Sequence, residues 1–224
     1  MLDALAVTRL LRPSCAVCSL APGPVCPACE ADFFPVSISR CTVCAIPVHG
    51  KDSICGRCLS SPPHFVRTTA LADYAPPVDG MVMALKFGAR LDLASVFGRL
   101  LARRTSDVAS ALVVPVPLAF ERLAERGYNQ SLQIARAYCA GSRARLATGI
   151  VRRIRHTAPQ QALALKDRRR NVRGAFSAAA GIGGRNVLVV DDVMTSGSTM
   201  DEIARVLVAA GAARVHALVV ARTP

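Results

Sequence analysis

The chain has no tryptophan, and aromatic residues make up only 4% of its 224 positions. Nucleobase pockets and single-strand binders stack bases on aromatic rings, so stacking has few side chains to work with here. Acidic residues are also scarce: 15 Asp and Glu face 28 Lys and Arg, for a net charge of +13. Such a surplus favours phosphorylated or polyanionic partners. No apolar run approaches the ~20 residues of a membrane span, which excludes an inserted helix. The opening MLDALAVTRLLRPSC carries Asp3 and Arg9 within its apolar stretch and has no small-residue cleavage site. It reads as a short amphipathic helix rather than a secretory signal, and the expected compartment is the cytoplasm. The glycine-rich Gly-x-Gly-x-x-Gly and Gly-x-x-x-x-Gly-Lys-Ser/Thr loops are missing, as is any helix-turn-helix pattern. What remains is a chain with 52% hydrophobic residues, enough to bury a core.

Cysteine is the first thing the sequence has in excess. Of nine cysteines, eight form four Cys-x-x-Cys pairs: Cys15/Cys18, Cys26/Cys29, Cys41/Cys44 and Cys55/Cys58. A reducing compartment disfavours disulfides, and a redox dithiol needs one such pair rather than four. Zinc takes four tetrahedral thiolates, and each Cys-x-x-Cys turn offers two. The eight sulfurs therefore suit two structural zinc ions. Consecutive pairing gives Cys15, Cys18, Cys26 and Cys29 for one and Cys41, Cys44, Cys55 and Cys58 for the other. Spacing leaves nested and crossed arrangements open. His49 and His64 read as loop residues, and Cys139 as a core residue of an apolar helix.

Charge divides the chain at about the same place. Residues 1–65 hold five basic and four acidic side chains, leaving 23 basic and 11 acidic to residues 66–224. The first segment reads as a zinc-ribbon module, and the second as a separate domain that carries the electrostatic function. In that domain, RTTALADY (67–74), ALVVPVP (111–117), GAFSAA (174–179), NVLVVDD (186–192) and RVHALVV (214–220) read as strands. Helical spacing runs through 77–103, 131–139 and 199–212, with Gly211 closing the last. Short apolar strands alternating with helices predict a parallel sheet covered on both faces.

The chemistry concentrates in LVVDDVMTSGST (188–199). Two adjacent carboxylates end a buried strand, and their mutual repulsion and desolvation need a compensating function. A hydroxyl-rich turn follows: Thr195, Ser196, Gly197, Ser198 and Thr199. Thr199-Met-Asp-Glu202 matches a capping box and predicts a helix start there. A helix N-terminus offers unpaired amides to phosphate, and ligands of open α/β sheets bind at this edge. Phosphate in the turn and vicinal hydroxyls on Asp191 and Asp192 together describe a ribose 5-phosphate.

This stretch resembles the phosphoribosyl pyrophosphate (PRPP) motif of type I phosphoribosyltransferases. VPVPLAFERLAERGYNQS (114–131), RHTAPQQALALKDRRRNVRGAF (155–176) and the cysteine-rich front end narrow the resemblance to the ComF family of competence proteins, over almost the whole chain. Its main departure is MTSG where many relatives carry Thr-Thr-Gly, and Ser196 preserves the hydroxyl. The resemblance implies an α/β, type I phosphoribosyltransferase-like parallel sheet with flanking helices, preceded by a double zinc ribbon. It implies PRPP with Mg²⁺, whose hydrated ion Asp191 and Asp192 help hold. Arg122, Arg126, Asn129 and Gln130 follow the Pro-Val-Pro strand end, where such enzymes hold pyrophosphate. Residues 143–173 contain ten Arg or Lys against Asp167. There the resemblance implies a loop that closes over pyrophosphate, with Arg155, Arg168, Arg169 and Arg173 as contacts to it or to DNA. The function implied is binding of single-stranded DNA during uptake for natural transformation, with a competence helicase and a recombination mediator as partners. The alternatives are an active phosphoribosyltransferase with an unidentified acceptor, for which no general base stands out, and a regulator in which PRPP controls nucleic-acid binding.

Overall fold

A computed structural model describes residues 14–36, 39–48, 53–105, 111–155 and 170–224. The expected N-terminal helix, His49, Arg168 and Arg169 lie outside the described residues. The centre is a five-stranded parallel sheet in the order β1-β7-β6-β2-β3. Its strands are β1 (Arg67–Asp73), β2 (Leu112–Pro115), β3 (Arg145–Leu146), β6 (Asn186–Met194) and β7 (Arg214–Arg222). The two central strands, β6 and β7, read as near-continuous apolar runs because both faces of a parallel sheet are buried. Alternate residues of β6 serve opposite faces: Leu188 and Val190 join one core, Val187 and Val189 the other.

The first core is roofed by α3 (Val78–Phe87), α4 (Leu91–Arg104) and α6 (Gln130–Ala140). α4 and α6 touch closely, because Gly98 leaves no side chain between its backbone and that of Ile134 and Tyr138. The second core lies under α7 (Ser198–Ala209), with Ile203 and Leu207 fully buried. The strand expected at 174–179 is present as β5 (Phe176–Ala178), but it leaves the main sheet. It pairs antiparallel with β4 (Val151–Arg153), and the Arg153 guanidinium stacks 5.4 Å from the Phe176 ring.

Each cysteine-rich loop docks on one of the two cores. The first, with α1 (Pro27–Phe33), sends Glu30 to Arg99 at 2.9 Å and to Arg103 at 2.7 Å on α4. The second, with α2 (Gly56–Ser60), is tied to β1 by Arg40–Asp73 at 2.7 Å and by Thr68 Oγ1 donating to Val43 O at 2.6 Å. One short helix, α5 (Phe120–Arg126), buries none of its residues. Among the described residues no helix is long and apolar enough to cross a membrane.

Candidate functional site

The carboxyl ends of β6 and β2 bring one group of polar side chains together. Ser131, in the first turn of α6, donates to Asp191 Oδ1 at 2.9 Å, as does the Asp192 backbone N–H at 2.9 Å. Lys86, near the end of α3, places Nζ 3.1 Å from Asp192 Oδ1. Both side chains of that ion pair are largely buried, at 13% and 5% exposure. Burial, and then the neighbouring Asp192 charge, push the Asp191 carboxyl up to about 7, against the pull of Lys86 and Ser131. Asp192 Oδ2 is buried and has no hydrogen-bond partner among the described residues. A buried carboxylate oxygen left unpaired costs on the order of 1–3 kcal/mol, a cost that a ligand hydroxyl or a hydrated cation would remove. The donor set therefore fits Mg²⁺ held through water, and equally a vicinal diol.

Past Met194 the strand runs into the turn and α7. Gly197 sits at φ +77, the left-handed region that glycine enters without strain, and it is the residue preceding the helix. The helix thus begins at Ser198, one residue before the start predicted from the capping box, and its N-cap has no side chain. Glu202 is committed elsewhere, accepting the Gly174 N–H at 2.8 Å and binding Arg205 at 2.7 Å. Inside the turn, Ser196 Oγ lies 2.9 Å from Ser198 Oγ and accepts the Ser198 N–H at 3.3 Å. The carbonyls of the turn are held from outside: Thr195 O by Arg222 Nη1 and Ser196 O by Arg57 Nη2, each at 2.5 Å.

The residues expected near pyrophosphate divide. Asn129 caps α6, accepting the Leu132 N–H at 3.2 Å and donating to Val116 O at 3.0 Å. Gln130 is buried and accepts from Arg126, whose guanidinium lies 5.0 Å from the Phe87 ring centroid. Gln130 precedes Ser131 and Phe87 follows Lys86 in the chain, so each is one residue from a partner of the acid pair. Arg122 is exposed on α5. Arg155 donates to Asn171 O at 2.9 Å and Arg173 O at 2.7 Å, holding the returning chain, while Arg173 itself is exposed.

Four polar partners escaped the sequence reading: Lys86, Ser131, Arg57 and Arg222. Only Lys86 carried a signal. The chain has three lysines, Lys51, Lys86 and Lys166, and Lys86 lies four positions after Val82 on an apolar helical stripe.

The eight cysteines gather into two groups, Cys15, Cys18, Cys26, Cys29 and Cys41, Cys44, Cys55, Cys58. Within each, the sulfurs lie within 4.8 Å of one another. A zinc tetrahedron with Zn–S near 2.3 Å sets sulfurs about 3.8 Å apart. The Cys18–Cys26 and Cys44–Cys55 sulfurs are 3.9 Å and 3.6 Å apart. Both groups fit structural zinc, in the consecutive pairing. Burial opposes ionisation of Cys15, but backbone N–H groups of Cys18, Cys26 and Val17 outweigh it and bring the thiol to about 6. The N–H groups around Cys41 likewise overcome burial and bring it to about 7. Burial pushes the partner thiols the other way, Cys29 up to about 12 and Cys44 and Cys58 upwards, so each knot holds one thiol that readily ionises to the thiolate, the form that binds metal.

Comparison with known proteins agrees with this architecture. The phosphoribosyl transferase domain family matches residues 98–224. The DNA utilization protein YhgH of Escherichia coli K12 is 38% identical over 190 residues, covering 82% of this chain and 84% of its own. Its counterpart in Salmonella typhimurium is 35% identical over 193 residues, covering 83% and 85%. Competence protein F of Haemophilus influenzae is 30% identical over 198 residues, covering 84% and 86%.

Proposed function

The chain belongs to the phosphoribosyl transferase domain family, in the ComF branch with competence protein F and DNA utilization protein YhgH, and from this we propose that it binds PRPP and single-stranded DNA in DNA uptake. The observation that carries the sugar half is the Asp191–Asp192 pair, with its buried unpaired Oδ2, set directly ahead of a hydroxyl-lined turn. In this reading the ribose 2- and 3-hydroxyls donate to Asp191 and Asp192. The Ser196–Thr199 turn takes the 5-phosphate at the start of α7. Arg126 and Gln130 face the pyrophosphate, whose charge bound Mg²⁺ neutralises. DNA is held by arginine–phosphate contacts, a mode that a chain poor in aromatics can use. A competence helicase and a recombination mediator are its proposed partners.

Turnover onto an acceptor is a second reading, favoured by one observation. Phe87 is 69% exposed and follows Lys86 in the chain, which makes its ring available for stacking a base. The experiment is one titration. PRPP binding is measured by calorimetry with and without single-stranded DNA, with pyrophosphate release followed in the same samples. Binding that weakens about a hundredfold in the Asp191→Asn, Asp192→Asn double variant is the expected result, since two charge-assisted contacts are lost. Unchanged affinity in that variant sinks the sugar site. Release of pyrophosphate establishes an enzyme, and coupling to DNA without release establishes a ligand-regulated DNA binder.

A further inference from the structure

The second cysteine knot and the hydroxyl-lined turn are one structural unit. Arg57 lies between Cys55 and Cys58 in sequence, and its Nη2 donates to Ser196 O at 2.5 Å, across 139 positions. Arg222, only 3% exposed, closes the unit from the other side. Its Nε donates to Cys44 O at 2.8 Å, and its Nη1 donates to Met194 O at 3.1 Å and Thr195 O at 2.5 Å. Phe65 and Met194 fill the gap under Gly197, where a Cβ would lie 3.9 Å and 3.7 Å from them and 4.0 Å from Arg57 Nη2. His64 adds an N–H and a ring nitrogen on Asp201 Oδ1, both at 2.8 Å, in the first turn of α7. The first knot makes no comparable contact among the described residues, since its ties run to α4 on the far core.

The direction of these bonds matters. In a trans peptide the C=O and the following N–H point opposite ways. Holding Thr195 O and Ser196 O against two guanidinium groups therefore turns the Ser196 and Gly197 N–H groups away from the knot. Two convergent amides ahead of a helix start form an anion-binding nest. Without Arg57 the Ser196–Gly197 peptide is free to rotate, because Gly197 tolerates either orientation. Arg57 is itself set by the loop that Cys55 and Cys58 close.

We propose that Arg57 is the positioning residue of the phosphate turn, so that metal retention by the second cysteine knot and phosphate binding at the turn reinforce each other. This rests on reading the turn as a 5-phosphate site. Coupling between two sites is reciprocal, so the proposal can be read from either site.

The test uses the zinc-loaded full chain, with ribose 5-phosphate and inorganic pyrophosphate as separate probes in calorimetry. Arg57→Ala is expected to retain two zinc ions per chain and to bind ribose 5-phosphate about tenfold or more weakly, the usual cost of losing a charged hydrogen bond. Pyrophosphate affinity stays unchanged, Arg57→Lys recovers part of the loss, and Arg99→Ala, on the side of the first knot, leaves both probes unaffected. In the second readout, zinc transfer to a chromogenic chelator is followed with and without ribose 5-phosphate. The sugar phosphate is expected to slow release of one of the two ions in the wild-type chain and of neither in Arg57→Ala. If Arg57→Ala binds ribose 5-phosphate as the wild type does, or zinc release ignores the ligand, the positioning role is overturned while the 5-phosphate reading stands. If the wild-type chain does not bind ribose 5-phosphate, both fall together.

Discussion

Burial and the Asp192 charge raise the Asp191 carboxyl while Lys86 and Ser131 lower it, and their balance sets how the site responds to pH. The Asp191 carboxyl is raised from 3.8 to about 7, first by burial and then by the Asp192 charge. A carboxyl that titrates higher folded than unfolded keeps its proton longer in the native state. Its contribution to stability is therefore complete below about 3.8 and lost as pH rises through about 7. Ribose hydroxyls and Mg²⁺ both prefer the carboxylate, so ligand binding must expel that proton. Ribose 5-phosphate affinity is expected to rise with pH through about 7 and level off above it, and Asp191→Asn should flatten the profile. Calorimetry at one pH in buffers of different ionisation enthalpy checks the proton release, and its absence would remove Asp191 from the ribose contact. Lys86 acts on stability more than on binding. Lys86→Met strands the buried Asp192 charge and should cost about 3 kcal/mol in urea unfolding, whereas adding Asp192→Asn should return most of it. If the double variant is as unstable as the single, the pair is not what holds α3 to β6.

The elements carry these residues, and the α4–α6 contact is the tightest constraint among them. A Cβ on Gly98 would lie 2.5 Å from Ala137 Cβ, 2.6 Å from Tyr138 N and 2.7 Å from Ile134 O. Gly98→Ala gains up to ~1 kcal/mol of helix propensity, yet it forces the two helices apart. The net expectation is a loss of about 2 kcal/mol, with Ser131 drawn off Asp191 and the pH profile of binding shifted upwards as the hydrogen bond that holds its carboxyl down is lost. Thermal unfolding and the same calorimetry check both, and a stabilised variant would mean the helices can part freely. The sequence made the strands legible because buried parallel strands are continuous apolar runs. Those expected at 67–74, 111–117, 186–192 and 214–220 appear at Arg67–Asp73, Leu112–Pro115, Asn186–Met194 and Arg214–Arg222. The cysteine grouping was legible for the same reason, since its ligands are near neighbours in the chain. Partners made by tertiary folding were not: nothing local marks Arg57 for Ser196 or Ser131 for Asp191. The capping box misled because Glu202 matches the pattern by position while the fold uses it to hold Gly174 and Arg205.

For the whole molecule, the net charge of +13 overstates the cation available to a polyanion. Arg40, Arg90, Arg99, Arg103 and Arg205 are paired with carboxylates. Arg57, Arg104, Arg155 and Arg222 are bonded to backbone carbonyls. These guanidinium groups hold the knots, the sheet and the turn together, and a DNA phosphate could recruit them only by breaking those bonds. The exposed arginines outside these bonds, Arg122 among them, belong to the second segment, where 23 basic residues face 11 acidic ones. Single-stranded DNA binding is expected to engage about five phosphates rather than a number set by net charge. Each phosphate contact to a single strand contributes about −0.7 to the slope of log K against log salt, so the expected slope is near −3.5. Fluorescence anisotropy of a labelled oligonucleotide between about 50 and 200 mM salt reads it directly. A slope near −7 would mean that about ten contacts form, twice the number expected. Chelation of zinc is a further test, because releasing the second knot frees Arg57, while Arg222 keeps its bonds to Met194 O and Thr195 O. Under the five-contact account that release should steepen the slope, and a slope insensitive to zinc would mean the freed Arg57 never reaches DNA.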